Sequence, residues 1–124
     1  MSGQQTDETA TESRSEESAD CCSVGRSPAA ETVAADVRTL AALGNDTRYE
    51  ALRLIADADG AVCVCELEPV LGVSQGAVSQ ALSRLFGADL VERRKEGRWR
   101  YYTATPRAER LLRALDETRS LEEN

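Results

Sequence analysis

Residues 66–88 leave this chain little choice of fold. Leu67, Val70 and Leu71 form a short apolar face. Gly72-Val73-Ser74 follows at once, and then Val78, Ala81, Leu82 and Leu85 recur at helical intervals. Two short helices joined by three residues that include a glycine form the helix-turn-helix pattern. Ser74 is the expected cap of the second helix, over about 75–88. The outer face of that helix carries Gln75, Gly76, Ser79, Gln80, Ser83 and Arg84.

The flanks complete a small domain. Ser27-Pro28 is a helix start, and Val33, Val37 and Leu40 recur at i, i+4, i+7 along a helix over about 28–43 that ends at Gly44. Asn45, Asp46 and Thr47 each offer a cap, and Thr47 with Glu50 fits a capping box, for a helix to about Ala58 with Leu52 and Ile55 inward and Tyr49 and Ala51 flanking. Asp59-Gly60 is a turn, and Ala61 to Val64 a short strand. Proline is tolerated in the first turn of a helix, so Pro69 places the next helix start near Cys65 or Glu66. Downstream, Lys95-Glu96-Gly97 is the turn of a hairpin with strands of 90–94 and 98–103. Thr105-Pro106 caps a last helix with Ala108, Leu111, Leu112 and Leu115 along one face.

The expected fold is mainly α with a small β-hairpin wing, a dimeric winged helix-turn-helix. Its domain spans 27–119, between an acidic, disordered tail over 1–26 and a C-terminal tail over 120–124. With one Phe, one Trp and three Tyr, the core is small, and such domains gain stability by dimerising. The apolar faces of the first and last helices exceed what that core needs and form the expected dimer interface.

Net charge is −7, yet its distribution suits a nucleic-acid binder better than its sum. The first 32 residues hold seven acids against two arginines, whereas residues 92–100 hold five basic side chains against two acids. Fourteen of the fifteen basic residues are Arg, with Lys95 the exception. Few Lys among many acids resembles a halophile's surface; a GC-rich genome produces the same bias. No apolar run approaches a membrane span and the N-terminus is no signal peptide, so a cytoplasmic protein is expected.

In a reducing compartment the four cysteines point to metal or redox chemistry. Cys63 and Cys65 lie two apart in AVCVCELEPVL; Cys21 and Cys22 lie in the acidic tail, where no core needs them. On a regular helix residues two apart diverge by roughly 200°. In an extended segment they share a side. At the strand-to-helix junction, Cys63 and Cys65 can therefore chelate one ion, and a helix N-terminus favours the thiolate. Packing as small apolar residues is the plainer alternative for this pair, and incidental thiols for the tail pair. Thiolates favour As(III), Sb(III), Cd(II), Pb(II), Hg(II), Cu(I) and Zn(II).

The segments ALGNDTRYEALRLI, CVCEL, LGVSQGAVSQALSRL and LVERRKEGRWRYY resemble the ArsR/SmtB family of metal-responsive repressors, over about 35–119. CVCEL looks like the thiolate site that arsenite and cadmium/lead sensors carry at the start of the third helix. The resemblance implies a homodimer on double-stranded operator DNA, released by a soft ion, and neither an enzyme nor a membrane protein. Two departures count. Glu68 stands where arsenite sensors often have a third cysteine, and the absence of histidine removes the family's interface zinc site. Completion of the thiol site then falls to Cys21 and Cys22. As(III) or Sb(III) is the preferred effector, with Cd(II), Pb(II) or Zn(II) as the alternative, and thiol-redox or persulfide sensing as another.

The start of the recognition helix should enter the major groove, with Gln75, Ser79 and Gln80 at base edges and Gly76 on the same DNA-facing surface. Ser74 and Arg84 would hold phosphates, and Arg93, Arg94, Lys95, Arg98 and Arg100 of the wing would add charge. Without DNA to bind, the wing is a solvated charged hairpin. Trp99 and Tyr101 are expected to pack the wing on the core.

Overall fold

The computed structural model describes residues 23–123. Helix α1 spans Ala30–Leu43 and α2 spans Asp46–Asp57. A short strand β1, Val62–Cys63, leads directly into α3, Val64–Leu71, and then α4, Gln75–Gly87. Strands β2, Val91–Glu96, and β3, Trp99–Ala104, precede α5, Pro106–Glu123. The mainly α winged helix-turn-helix read from the sequence is the architecture observed. Among the described residues no helix is long and apolar enough to cross a membrane.

The core forms where α2, α3, α4 and the sheet meet. Leu52, Leu67, Leu82, Leu85 and Leu90 are fully buried there, with Val78, Tyr102 and Leu112 around them. Each such side chain contributes about 1.5–3 kcal/mol by leaving water. Two features set the α3–α4 angle. Gly72 takes the left-handed conformation at φ 70°, where a Cβ is disfavoured, and closes α3 by donating its N–H to the Glu68 carbonyl at 3.0 Å. Ser74 then caps α4, its hydroxyl oxygen accepting from the Ala77 N–H at 3.1 Å.

Several local expectations are corrected. Helix α1 begins after Ala29, which makes no side-chain cap, rather than at Ser27-Pro28. Proline's fixed φ serves an extended segment as well as a first helical turn. The buried residues of α1 are Thr39 and Ala42; the apolar stripe of Val33, Val37 and Leu40 is exposed. Of the three caps the sequence offers for α2, Asn45 is the one used, its side chain accepting from the Arg48 N–H at 3.0 Å. Arg48 in turn donates to the Ala42 and Ala41 carbonyls at 2.8 and 3.0 Å, satisfying the end of α1. Ala51 is fully buried rather than flanking.

The sheet runs β1-β3-β2, antiparallel throughout, with Val62 opposite Tyr102 and Cys63 opposite Tyr101. Glu96 pairs with Trp99, so the hairpin turn is Gly97-Arg98, two residues long, rather than Lys95-Glu96-Gly97. Gly97 supplies the positive φ of 63° that such a short loop requires at its first position. Thr105 caps α5 by accepting from the Ala108 N–H at 3.1 Å, and that helix continues through 120–123, past the boundary drawn at 119.

Helix α5 is tied to α2 by a two-pronged contact: Arg53 donates to the Asp116 carboxylate at 2.7 and 3.2 Å and to the Tyr49 hydroxyl at 2.8 Å. The Arg53 guanidinium, and then Arg119, hold the Asp116 carboxyl below its ordinary value. A depressed folded-state pKa stabilises above the unfolded value and ceases to do so as pH falls through the folded one. Asp116→Asn should therefore melt slightly below the parent at neutral pH, by a few degrees at most for an exposed pair. The two melting curves should converge in acid; a gap that persists there in thermal melts would assign the loss to something other than this charge.

Candidate functional site

Strand pairing and the helix start together bring the thiols into contact. Cys63 is the last residue of β1, held by its pairing with Tyr101, and its extended backbone (φ −84°, ψ 147°) makes it the N-cap of α3. Cys65 is the second residue of that helix. The junction thus falls between the two cysteines, and their Sγ atoms lie 2.8 Å apart, with Cys65 donating to Cys63. Both are free thiols; Cys63 is buried and Cys65 exposed.

Helix α3 starts one residue earlier than Pro69 suggested, so Pro69 lies inside it. Proline has no N–H to give, and the Cys65 carbonyl four residues back loses its intrahelical donor. The expected thiolate is also corrected. The hydrogen bond shared with Cys63, then burial and the neighbouring Cys63 and Glu66 charges, push the Cys65 thiol up from its ordinary value. They outweigh the Cys65 backbone N–H, which pulls the other way. A soft ion binding here must displace that proton.

Two adjacent sulfurs are the donor chemistry a soft ion requires. Among the described residues no third His, Cys, Asp or Glu joins them, so Glu68 does not replace the missing cysteine. Cys21 and Cys22, the chain's other two thiols, lie outside the described residues.

The thiol pair opens into a cleft of about 260 Å³. Gln75 and Ser79 from the first turns of α4 line it, together with Arg98, Trp99 and Arg100 from the wing. Trp99 was expected to pack on the core. It is instead half exposed, on the same face of the sheet as Cys63 and Tyr101. Tyr102 is the aromatic that fills the core. The alternation of Trp99 and Tyr101 along one strand was visible in the sequence, but the β1–β3 register that seats them beside Cys63 was not.

All of the proposed nucleic-acid contacts are exposed: Ser74, Gln75, Gly76, Ser79, Gln80 and Arg84 on or beside α4, and Arg93, Arg94, Lys95, Arg98 and Arg100 on the wing. Gln80 and Arg84 line a second hollow of about 330 Å³ with Asn45, Thr47 and Arg48 at the start of α2, three residues the sequence reading did not single out for this face. On the wing, Arg93 stacks over Phe86 at 4.0 Å, and Arg94 pairs with Glu96 at 3.0 Å. Lys95 and Arg100 are direct cross-strand partners. Like charges facing each other in a hairpin cost stability. Such a pair suits a surface that meets a polyanion.

A trough of about 610 Å³ lies between α1 and α5, with Leu40, Pro106 and Leu111 as its apolar walls. Val33 and Val37 extend its apolar surface along α1, and Leu115 and Leu121 are exposed along α5.

Residues 45–93 match the family described as bacterial regulatory protein, arsR family. A Halobacterium salinarum protein named for arsenical resistance operon repression is 58% identical over 99 residues, covering 80% of this chain and 83% of its own length. The fold is similar to that of HlyU from Vibrio cholerae, at TM-score 0.63 and 30% identity over 73% of this chain and 97% of that one. It is also similar to a homodimeric winged helix-turn-helix DNA-binding domain from Mycobacterium bovis, at TM-score 0.67 and 27% identity over 78% and 90% of the two chains.

Proposed function

The chain belongs to the arsR family of bacterial regulatory proteins, a family of DNA-binding regulators rather than enzymes, and on that footing we propose that it represses an arsenical resistance operon and is released by arsenite or antimonite. The observation that carries the effector reading is the convergence of Cys63 and Cys65, 2.8 Å apart at the start of the helix that packs against α4. Trivalent arsenic or antimony would supply a soft centre that takes three thiolates. Cys63 and Cys65 provide two of these. Cys21 or Cys22, from the same chain or its dimer partner, provides the third.

On DNA, α4 lies in the major groove with Gln75, Gly76, Ser79 and Gln80 toward base edges, while Arg98, Lys95 and Arg100 meet the backbone. Ser74 keeps its oxygen on the helix cap and still has a hydroxyl proton to donate to a phosphate. A homodimer through α1 and α5 presents two recognition helices, so the operator is a palindrome.

The test is a mobility shift on the DNA upstream of this protein's own gene, with As, Sb, Cd, Pb, Zn and Hg in parallel. Arsenite and antimonite should release the complex at the lowest concentrations. Release by cadmium, lead or zinc alone would reassign the ion. A thiol-redox or persulfide sensor draws on the same short Sγ–Sγ contact. It is favoured if peroxide or polysulfide releases the complex and no metal does.

A further inference from the structure

One route from the thiols to α4 runs through α3, the helix that begins at them and ends at the turn before α4. The thiol cleft suggests a shorter route. We infer that this cleft is part of the operator-binding surface itself, so that an occupant of Cys65 and the DNA exclude each other by position. The inference rests on the reading of the chain as a thiol-gated repressor and adds how the gate works.

Three observations carry it. The first is access: both cysteines line the cleft, and of the two Cys63 is buried and Cys65 exposed. The second is what stands across from it. Gln75 and Ser79 wall one side and Arg98 and Arg100 the other. A duplex that lets α4 reach base edges while the wing touches the backbone must pass over this opening. The cleft holds about 260 Å³, against about 30 Å³ for one water molecule in the liquid. A ligand seated there thus stands between the recognition helix and the wing. The third is independent of the thiols. Arg94 lies opposite Tyr101 on the sheet face that carries Cys63 and Trp99, its guanidinium 5.6 Å from the Tyr101 ring, whereas Lys95 and Arg100 stand on the other face. This places a wing cation on the thiol face, where it can meet phosphate.

Occupancy and transmission through α3 predict different behaviour for an adduct that cannot chelate. Chelation needs at least two thiols; blocking the cleft needs only bulk at Cys65. Because two ligands that exclude each other do so reciprocally, the operator must also shield Cys65.

The experiment uses the full chain with Cys21→Ser, Cys22→Ser and Cys63→Ser, so that Cys65 is the sole thiol. Its alkylation by N-ethylmaleimide is followed free and on saturating operator DNA. An otherwise cysteine-free chain carrying Asp59→Cys, on the turn between α2 and β1, serves as the control. The expected result is at least tenfold protection of Cys65 by the operator and none of the control. After alkylation, operator affinity should fall at least tenfold, and the smaller methylthio adduct from methyl methanethiosulfonate should weaken binding less. Circular dichroism and sedimentation verify that the alkylated protein remains folded and associated.

If the alkylated protein, folded and associated, binds as before and Cys65 reacts equally fast on DNA, occupancy is overturned. Should arsenite still release the unmodified parent in that case, the ion must act through α3. If no ion releases the parent while alkylation of Cys65 does, the arsenical reading fails and the shared cleft stands.

Discussion

Cys63→Ser and Cys65→Ser should each bind operator DNA as the parent does and no longer be released by arsenite. Neither change threatens the fold. Cys63 is the N-cap of α3, a position where serine is among the preferred residues, and Cys65 is exposed. What each change removes is one of two soft donors held 2.8 Å apart. A hydroxyl is a hard, weak substitute for a thiolate. The size of the effect follows from linkage. To weaken the operator complex about a hundredfold, the ion must bind the released state more tightly by about 2.7 kcal/mol. Losing one of the three proposed thiolates, and with it the close pair, should remove most of that difference. Fluorescence anisotropy on labelled operator, titrated with arsenite, reads it directly. Release of either variant at the parent's arsenite concentration would place the effector site elsewhere. Cys21→Ser and Cys22→Ser, made together, should raise the concentration needed, since the proposed third thiolate is gone.

The residues that made the fold readable are those whose local chemistry admits one outcome. Gly72 is left-handed and Ser74 caps α4, as the spacing around them required. Val78, Ala81, Leu82 and Leu85 are the buried face of α4, as their helical spacing predicts. Legibility failed where tertiary contacts outrank local preference. Pro69 argued for a later start to α3, but the pairing of Cys63 with Tyr101 ends β1 there and starts the helix at Val64. The turn of the hairpin moved by register, because Gly97 can open a two-residue loop that the sequence alone does not distinguish from a three-residue one. The thiol site was half visible. The spacing of Cys63 and Cys65 announced a chelate, whereas their shared proton and the cleft facing Gln75 and Arg98 depend on contacts between segments far apart in the chain.

Leu40→Glu should convert a dimer into monomers and with it abolish tight operator binding. The case begins with Val33, Val37 and Leu40, spaced like a core stripe on α1 yet 44%, 55% and 66% exposed. An apolar face of that regularity is built to be covered, and the trough it forms with α5 is walled by Leu40 and Leu111. The proposed occupant is a second copy of the chain, which buries the stripe on both protomers at once. In a twofold interface the substitution enters twice, placing two carboxylates in a seam that Asp36, Arg107 and Arg110 also line; desolvating them costs on the order of several kcal/mol each even where an arginine pairs with them. Dimer dissociation should strengthen at least a hundredfold, as sedimentation velocity across a dilution series would show. The monomer itself should stay folded, because Leu40 contributes nothing to the buried core and its neighbour Ala42 remains in place. Operator affinity should fall with the dimer, since each half-site would then be bound alone. A Leu40→Glu protein that sediments as a dimer at the parent's concentration would move the interface off α1.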